Sequence, residues 1–259
     1  MTDAALQGVG VLVTRPRAQA AELIAAIENE GGTVLCFPVI EVVPRDENVI
    51  KAAVASLPNA DTVIFVSRNA VEYGLQYVGN AKIAAIGPST AAAISAAGHH
   101  VDLCPREGYD SESLLEETAL RDVSGQQILI IRGDGGRELL SETLTARGAT
   151  VNYLCVYDRQ LPTTSRKMIA EVEAGWRDGD ISVITVMSVQ TLDNLLTLLP
   201  DWCVARLQDM PLVTPAARVI KEALDRHSVS KSVLASGPGA REMVQAIIEI
   251  HSIEHGSAP

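Results

Sequence analysis

Glycine, arginine and hydroxyl residues follow the short apolar runs of this sequence, and together they could bind an anion. The clearest case is the segment 132–136, RGDGG, which comes directly after the aliphatic run 128–131 and before a helix-like stripe of leucines. The β-branched run predicts a buried strand, so the glycines form a tight loop that leads into a helix. Backbone N–H groups at such a helix N-terminus favour anions, and glycine leaves them accessible.

Most of the other apolar runs are followed by similar residues. Because the carboxyl ends of parallel strands meet at one edge of a sheet, these loops are expected to gather where ligands bind. The candidate binding residues are Thr14, Arg15, Ser67, Asn69, Gly87, Ser89, Thr90, Arg132, Gly133, Gly135, Gly136, Ser188, Thr214 and Ser236. The arginines on or beside these loops or the extended linker segments are Arg15, Arg68, Arg132, Arg137, Arg159, Arg218 and Arg241. The combination predicts a site for a large anion with several separated negative groups.

Other chemistries lack their motifs. The dinucleotide pattern GxGxxG fails because Glu138 stands where the third glycine belongs, and neither GxxxxGK[ST] nor GxSxG occurs. Asp134 and Glu138 could form an acid pair, although a solvated turn and a charge at a helix start are the simpler interpretation. The glycines of the 132–136 loop could also serve turn geometry alone. No metal site and no cofactor is predicted.

Composition narrows the classes of partner. The chain has 259 residues, of which 47% are hydrophobic and 3% aromatic, and its net charge is −11. An acidic chain with few aromatic residues is a poor candidate for binding nucleic acid. No apolar run approaches the ~18–20 residues of a membrane span. Four separated cysteines without a CxxC pair, and no signal peptide, indicate reduced thiols in a cytoplasmic protein.

The strand-end loops must be positioned by a parallel sheet. Ten short apolar runs alternate with helical patterns, which predicts an α/β protein with helices on both faces of its sheets. The chain also repeats itself, since segment 11–15 aligns with 128–132 and Gly31 aligns with Gly148. The order of units is A-B-A-B, with two strands in each A and three in each B.

This repeat can be divided into domains in two ways. We predict a discontinuous domain of residues 1–38 plus 162–259 and an inserted domain of residues 44–154. The extended segments 39–43 and 155–161 occupy equivalent places in the repeat and could pair antiparallel as linkers. The alternative is a single division near residue 121.

Several segments of the chain resemble uroporphyrinogen-III synthase. The resemblance covers nearly the whole chain and is most specific over residues 128–159. The matching segments are 11–16 (VLVTRP), 65–71 (FVSRNAV), 86–91 (IGPSTA), 110–115 (DSESLL), 132–140 (RGDGGRELL), 147–149 (RGA) and 156–159 (VYDR). The Thr-Ser pairs usual in the family stand here as Val66-Ser67 and Met187-Ser188, which keeps the backbone N–H groups but not the threonine hydroxyls.

The resemblance implies two flavodoxin-like, parallel five-stranded α/β domains, joined by a two-stranded antiparallel linker, with the substrate between them. It implies a lyase that cyclises hydroxymethylbilane, a linear tetrapyrrole polycarboxylate, to uroporphyrinogen III, with loss of water and inversion of ring D through a spiro intermediate. The important tyrosine of the family falls on Tyr157, which could donate a hydrogen bond to the departing water. Tyr157 could instead be an edge residue packed on the other linker.

The remaining expectations concern partners. We expect a cytoplasmic monomer that needs no cofactor, binds neither nucleic acid nor membrane, and makes at most transient contact with the preceding enzyme of the pathway. Two other functions stay open on the residues alone. One is a non-enzymatic, hinge-type binding protein for a polyanionic small molecule, and the other is a nucleotide-dependent transferase, which the loop spacing disfavours.

Overall fold

Two five-stranded sheets organise the chain, in a computed structural model that describes residues 4–108 and 110–254. One unit contains the residues up to Glu41 and from Gln160 onward, and the other contains Val42–Arg159. The second unit therefore interrupts the first. The chain passes from one unit to the other at two places, after Glu41 and after Arg159.

The helices and strands alternate along most of the chain. The strands are β1 (Gly10–Val13), β2 (Thr33–Cys36), β3 (Glu41–Pro44), β4 (Thr62–Phe65), β5 (Lys82–Ala85), β6 (Gln127–Gly133), β7 (Thr150–Gln160), β8 (Val183–Thr185), β9 (Leu212–Thr214) and β10 (Ser232–Leu234). The α-helices are α1 (Arg17–Asn29), α2 (Glu47–Ser56), α3 (Arg68–Gly74), α4 (Pro88–Ala96), α5 (Ser111–Leu115), α6 (Leu139–Ala146), α7 (Arg166–Asp178), α8 (Val189–Leu198), α9 (Asp201–Leu207), α10 (Ala217–His227) and α11 (Ala240–Glu254). The predicted α/β class is confirmed.

The sheet of the first unit has the strand order β10-β9-β8-β1-β2, and each of its neighbouring pairs is parallel. Its interior strand β1 is fully buried because helices cover both faces. One core cluster contains Trp176 and Ile184, and the other contains Leu23 and Ile247. The loops that follow β1, β8, β9 and β10 therefore leave the sheet at the same edge.

The sheet of the second unit has the order β3-β7-β6-β4-β5. Its four strands from β4 to β7 are parallel. At the edge, the N–H of Arg45 donates to the carbonyl of Val156 at 3.0 Å, and Gln160 Nε2 lies 3.5 Å from Glu41 Oε2. Rising residue numbers in β3 thus face falling numbers in β7, so this pair is antiparallel.

Two predicted strands differ in the structure. Residues 100–104, one of the ten runs expected to form strands, make only one bridge, between Ala84 and Leu103. The Asp102 carboxylate accepts the N–H of Ile83, and Pro105 has no N–H with which to continue the ladder. The expected strand 150–154 and the extended segment after it form the single strand β7. β7 accordingly ends at Gln160, and the second unit contains its residues up to Arg159.

Local signals explain where the helices beside the strand ends begin and stop. Ser67, Asp110 and Ser188 cap α3, α5 and α8, each by accepting a backbone N–H in the first turn. Gly148, just beyond α6, adopts φ +90°, as its predicted position after a helix requires. The short helix α9 was not predicted, since Cys203 and Leu207 alone form its buried stripe. In the described ranges, no helix has the length and apolar character needed to cross a membrane.

Candidate functional site

Register places the candidate residues of the second unit at one edge of its sheet. Phe65 in β4 is level with Ile131 in β6, so the loops after these two strands leave together. Gly133, at the end of β6, is level with Tyr157 in β7, after a register shift between Arg132 and Gly133. The structure therefore brings Ser67, Arg132, Gly133 and Tyr157 together, as the parallel-sheet argument predicts.

Tyr157 is completely buried, which differs from the expectation that its hydroxyl faces a ligand pocket. Its ring packs directly on the backbone of Gly133, where a Cβ atom would lie 2.4 Å from the ring atom Cε2. The ring of Tyr73 lies 6.2 Å away between centroids, at a tilt of 55°. The physical reason for the burial is thus the missing side chain at residue 133, which lets the ring sink against β6.

The hydroxyl of Tyr157 has two partners within the same unit. It shares a hydrogen bond of 3.1 Å with Ser67 Oγ, and it accepts an N–H from Arg159 at 3.2 Å. Ser67 Oγ in turn accepts the N–H of Ala70 at 3.0 Å as the cap of α3. The phenol is therefore held at the junction of a helix N-terminus, a strand end and a guanidinium group.

Arg159 is a further candidate for ligand binding, although it is not among the binding residues predicted from the sequence. It is exposed near the end of β7, and its Cζ atom lies 5.7 Å from the centroid of the Tyr157 ring. The sequence placed it among seven arginines near strand ends, but nothing local distinguishes it from Arg68 or Arg218. The i, i+2 spacing from Tyr157, which puts both side chains on one face of a strand, was the signal available.

Arg132 is 7% exposed and already has a carboxylate partner, which changes the expected picture of a free cation. Its Nη1 lies 3.1 Å from Glu138 Oε1, and its guanidinium stacks 4.6 Å above the ring centroid of Tyr153. The hydroxyl of Tyr153 donates to Glu138 Oε2 at 2.5 Å. Hydrogen bonds, first from Tyr153 and then from Arg132, hold the pKa of Glu138 below its usual value. Burial is the main reason that the pKa of Tyr153 is raised.

The loop after β6 keeps backbone donors available. Gly135 and Gly136 adopt φ +65° and +118°, where residues with side chains are strained. Within residues 4–108 and 110–254, the N–H groups of Gly135, Gly136 and Arg137 have no hydrogen-bond acceptor. Two arginines anchor the loop. Arg137 pairs with Glu112 of α5, and Arg45 pairs with Asp158 at 2.7 Å and with Asp134 at 3.4 Å. Asp134 and Glu138 therefore each form an ion pair, which fits the simpler interpretation of a solvated turn and a charge at the start of α6.

At the strand-end edge of the first unit, two of the predicted binding residues have side chains that a ligand cannot reach. Thr14 and Thr214 are fully buried, so their hydroxyls are not available to a ligand. The Thr14 hydroxyl donates to the carbonyl of Thr185 at 2.5 Å, and the Thr214 hydroxyl accepts the N–H of Ala216 at 3.3 Å. Burial leaves these hydroxyls no solvent partner, so Thr14 bonds to the end of the neighbouring strand β8, whereas Thr214 bonds within the turn that follows β9. Only their backbone groups stay candidates for a ligand contact.

Other candidates in the first unit remain accessible. Arg15 is half-buried and donates from Nη2 to the carbonyl of Pro238, and from Nε to Met187 Sδ at 3.2 Å. It thereby holds the loop that contains Ser236, which is exposed. Ser188 is half-buried, and its hydroxyl caps α8.

The remaining candidates of the second unit lie in the first turns of two helices. Asn69 is half-buried in α3. Gly87 caps α4 from a buried position, with Pro88 at the first helical residue, as helix starts favour. Ser89 is exposed, whereas Thr90 is 2% exposed and turns its side chain inward. The Thr90 side chain therefore packs in the interior, and the expectation that it contacts a ligand is not met.

Metal-binding and thiol chemistry receive no support from the described residues. No three of their His, Cys, Asp or Glu side chains lie close enough to hold a metal ion. The cysteines Cys36, Cys104, Cys155 and Cys203 are unpaired. Burial raises the pKa of Cys203 to about 11, so its thiol is protonated at neutral pH.

Comparison with known proteins gives a consistent result. The family model described as uroporphyrinogen-III synthase HemD matches residues 21–245. The uroporphyrinogen-III synthase of Salmonella typhimurium is 34% identical over 203 residues, which cover 75% of this chain and 81% of that protein. The enzyme of the same name from Escherichia coli K12 is 30% identical over the same coverage.

Solved structures share the fold. Uroporphyrinogen-III synthetase from Helicobacter pylori has a TM-score of 0.61 at 12% identity, over 93% of this chain and 99% of that chain. A mutant uroporphyrinogen III synthase from Thermus thermophilus has a TM-score of 0.59 at 20% identity, over 95% and 99% of the two chains.

Proposed function

Because the chain belongs to the uroporphyrinogen-III synthase family, we propose that it cyclises hydroxymethylbilane to uroporphyrinogen III. The reaction closes a linear tetrapyrrole with eight carboxylates, expels water and inverts ring D through a spiro intermediate. The family match spans residues of both units, and the curated relatives above carry this enzyme name. The chain is accordingly a lyase of tetrapyrrole biosynthesis.

One structural observation supports the proposed binding of a polycarboxylate. The strand-end edge of the second unit contains the Arg159 guanidinium, the Tyr157–Ser67 hydroxyl pair and loop N–H groups that have no acceptor among the described residues, all in an acidic chain. Carboxylates form their strongest hydrogen bonds with guanidinium and backbone N–H donors. A site of this composition supports a polycarboxylate ligand.

The chemistry needs little acid or base strength from the protein. An electron-rich pyrrole expels its hydroxyl, which leaves with one proton as water. The substituted carbon of ring D then attacks the methylene carbon that has lost water, which forms the spiro intermediate. The original bond between ring D and the methylene bridge from ring C breaks, this methylene bonds to the unsubstituted α-carbon of ring D, and the proton of that carbon is released. No electron is gained or lost. The task of the enzyme is to hold the flexible bilane so that the substituted carbon attacks, which is catalysis by orientation and exclusion of water.

We further propose a flavodoxin-like architecture for each unit. In the first unit, the order β2-β1-β8-β9-β10 corresponds to the doubly wound order 2-1-3-4-5, which supports this assignment. In the second unit, β5-β4-β6-β7 follows the same order and the antiparallel β3 takes the fifth place. The linker role of the segments around Glu41 and Arg159, the predicted domain boundaries and a substrate site between the domains stay predictions.

The isomer composition of the product tests the function. Freshly made hydroxymethylbilane is incubated with the protein, and the porphyrinogens are oxidised and separated. We expect the inverted isomer with the protein and only the head-to-tail isomer without it. A non-enzymatic binding protein would give the head-to-tail isomer in both samples, and this outcome would refute the proposed function.

Several expectations about the whole protein are not addressed by this assay. A monomeric state, a cytoplasmic location and transient contact with the preceding enzyme of the pathway stay predictions. The direct hydrogen bond from Tyr157 to the departing water also stays a prediction, and it would require the buried phenol to become accessible.

A further inference from the structure

We propose that Arg159 binds a carboxylate of the tetrapyrrole, and that Tyr157 acts by holding Arg159 in place. This inference rests on the proposed function, because it specifies which cation of the second unit receives a substrate carboxylate. It also gives the buried tyrosine a role that does not require contact with the substrate.

Arg159 is oriented by two contacts with one side chain. Its Nη2 donates to the Tyr157 hydroxyl at 3.2 Å, and its Cζ lies 5.7 Å from the centroid of the same ring. This distance falls within the ~6 Å range of a cation–π interaction. One N–H group is thus used for positioning, and the planar guanidinium offers others in a fork that matches a carboxylate.

Tyr157 is itself fixed, so it is a rigid support. The ring is fully buried against the backbone of Gly133, and its hydroxyl is hydrogen-bonded to Ser67 Oγ. Ser67 is in turn fixed as the cap of α3 by the N–H of Ala70. The position of the Arg159 guanidinium therefore depends on β6, β7 and the start of α3 together.

Arg159 also differs in charge pairing from three of the other arginines beside this edge. Arg45 pairs with Asp158, Arg132 with Glu138, and Arg137 with Glu112. Arg159 has no ion pair with any carboxylate of the described ranges, although it is exposed. An oriented guanidinium without a counter-ion, in a chain of net charge −11, is a receptor for an external carboxylate.

Holding Arg159 in advance lowers the cost of binding. A free arginine side chain loses conformational entropy when it is immobilised. Because Tyr157 already restricts Arg159, less of this cost falls on the binding step. The loss of the Tyr157 hydroxyl should therefore act on substrate affinity, through Arg159.

The test compares Arg159→Gln, Tyr157→Phe and the double variant with the wild-type protein. Arg121→Gln is the matched control, since Arg121 is exposed, pairs with Glu116 and precedes β6, at the opposite end of that strand. Two quantities are measured: kcat and KM for hydroxymethylbilane, and the calorimetric Kd of uroporphyrin, an octacarboxylate that requires no turnover.

We expect Arg159→Gln to raise KM and Kd about tenfold, the effect of losing one charge-assisted hydrogen bond. Arg159→Lys keeps the charge and should recover part of this loss. Tyr157→Phe should raise both constants by a smaller factor, and the double variant should resemble Arg159→Gln alone. Arg121→Gln should match the wild type.

Two results would overturn the inference. One is a Kd for uroporphyrin that is the same in Arg159→Gln and Arg121→Gln. The other is a fall in kcat on Tyr157→Phe that is as large in the Arg159→Gln background as in the wild type, because Tyr157 would then act independently. Absence of the inverted isomer with wild-type protein would instead refute the proposed function, and uroporphyrin binding would still test Arg159.

Discussion

The ring of Tyr157 occupies the space in which a side chain at residue 133 would lie. A Cβ atom on Gly133 would approach Cε2 to 2.4 Å and Cζ to 2.6 Å, distances too short for a non-bonded contact between carbon atoms. The glycine of the RGDGG segment thus has a packing role in addition to its role in the loop. This contact links the glycine-rich loop to the group formed by Tyr157, Ser67 and Arg159.

Gly133→Ala should displace the Tyr157 ring. Overpacking of a buried contact costs typically 1–3 kcal/mol, so we expect the free energy of unfolding to fall by about that amount. The KM for hydroxymethylbilane should rise as well, because the displaced phenol can no longer hold Arg159. Urea unfolding and steady-state kinetics measure the two effects. Gly237→Ala is the stability control, since its Cβ would meet Glu242 at an ordinary 3.5 Å. Unchanged stability of Gly133→Ala would contradict the packing role.

Ser67→Ala separates helix capping from support of Tyr157. Loss of the cap of α3 should cost about 1 kcal/mol of unfolding free energy. Ser165→Ala is the matched control, because Ser165 caps α7 with the same geometry, its Oγ accepting the N–H of Met168 at 3.2 Å. Both variants should lose similar stability, but only Ser67→Ala should raise KM for hydroxymethylbilane. Equal kinetics in the two variants would show that Ser67 serves α3 alone.

Glu138→Gln should leave the Arg132 guanidinium without its counter-ion. Arg132 is nearly buried, and an uncompensated buried charge is destabilising, so we expect a lower Tm in the absence of ligand. Uroporphyrin should then raise the Tm of this variant more than that of the wild type, because a ligand carboxylate can replace Glu138. Glu116→Gln, which breaks the exposed pair with Arg121, is the control. Thermal shifts that are the same in both variants would exclude a carboxylate subsite at Arg132.

Asp110 should make stability depend on acid pH. Hydrogen bonds from the side chain and the backbone N–H of Ser113 lower its pKa in the folded state. The contribution of Asp110 to the free energy of unfolding is therefore complete above the pKa of an Asp in the unfolded chain, ~3.9. It is lost as the pH falls through the lower pKa of Asp110 in the folded protein. Asp110→Asn should lower stability at pH 7 and flatten its decline below pH 4, as measured by urea unfolding across this range. An equally steep acid decline in Asp110→Asn would assign it to other carboxylates.

The pattern of apolar runs determined the α/β class and most of the elements. Strands such as β4 and β6 are short, β-branched and buried on both faces, so their composition predicts them without any partner. Helix ends such as the cap Ser67 and the left-handed Gly148 depend on residues that are adjacent in the chain, so they are set by local sequence. The gathering of the strand-end loops followed from the rule that parallel strands end at one edge.

The tertiary structure alone decided the state of each side chain at that edge. The sequence could not show that the Tyr157 ring packs on Gly133 or that Glu138 pairs with Arg132. Nor could it show that the Thr14 hydroxyl donates to the carbonyl of Thr185. Residues of different strands make these contacts, so burial and charge pairing depend on register and on the close approach of backbones. Residue types beside a strand end are local information, whereas the exposure and counter-ion of each one are set by its neighbours in space.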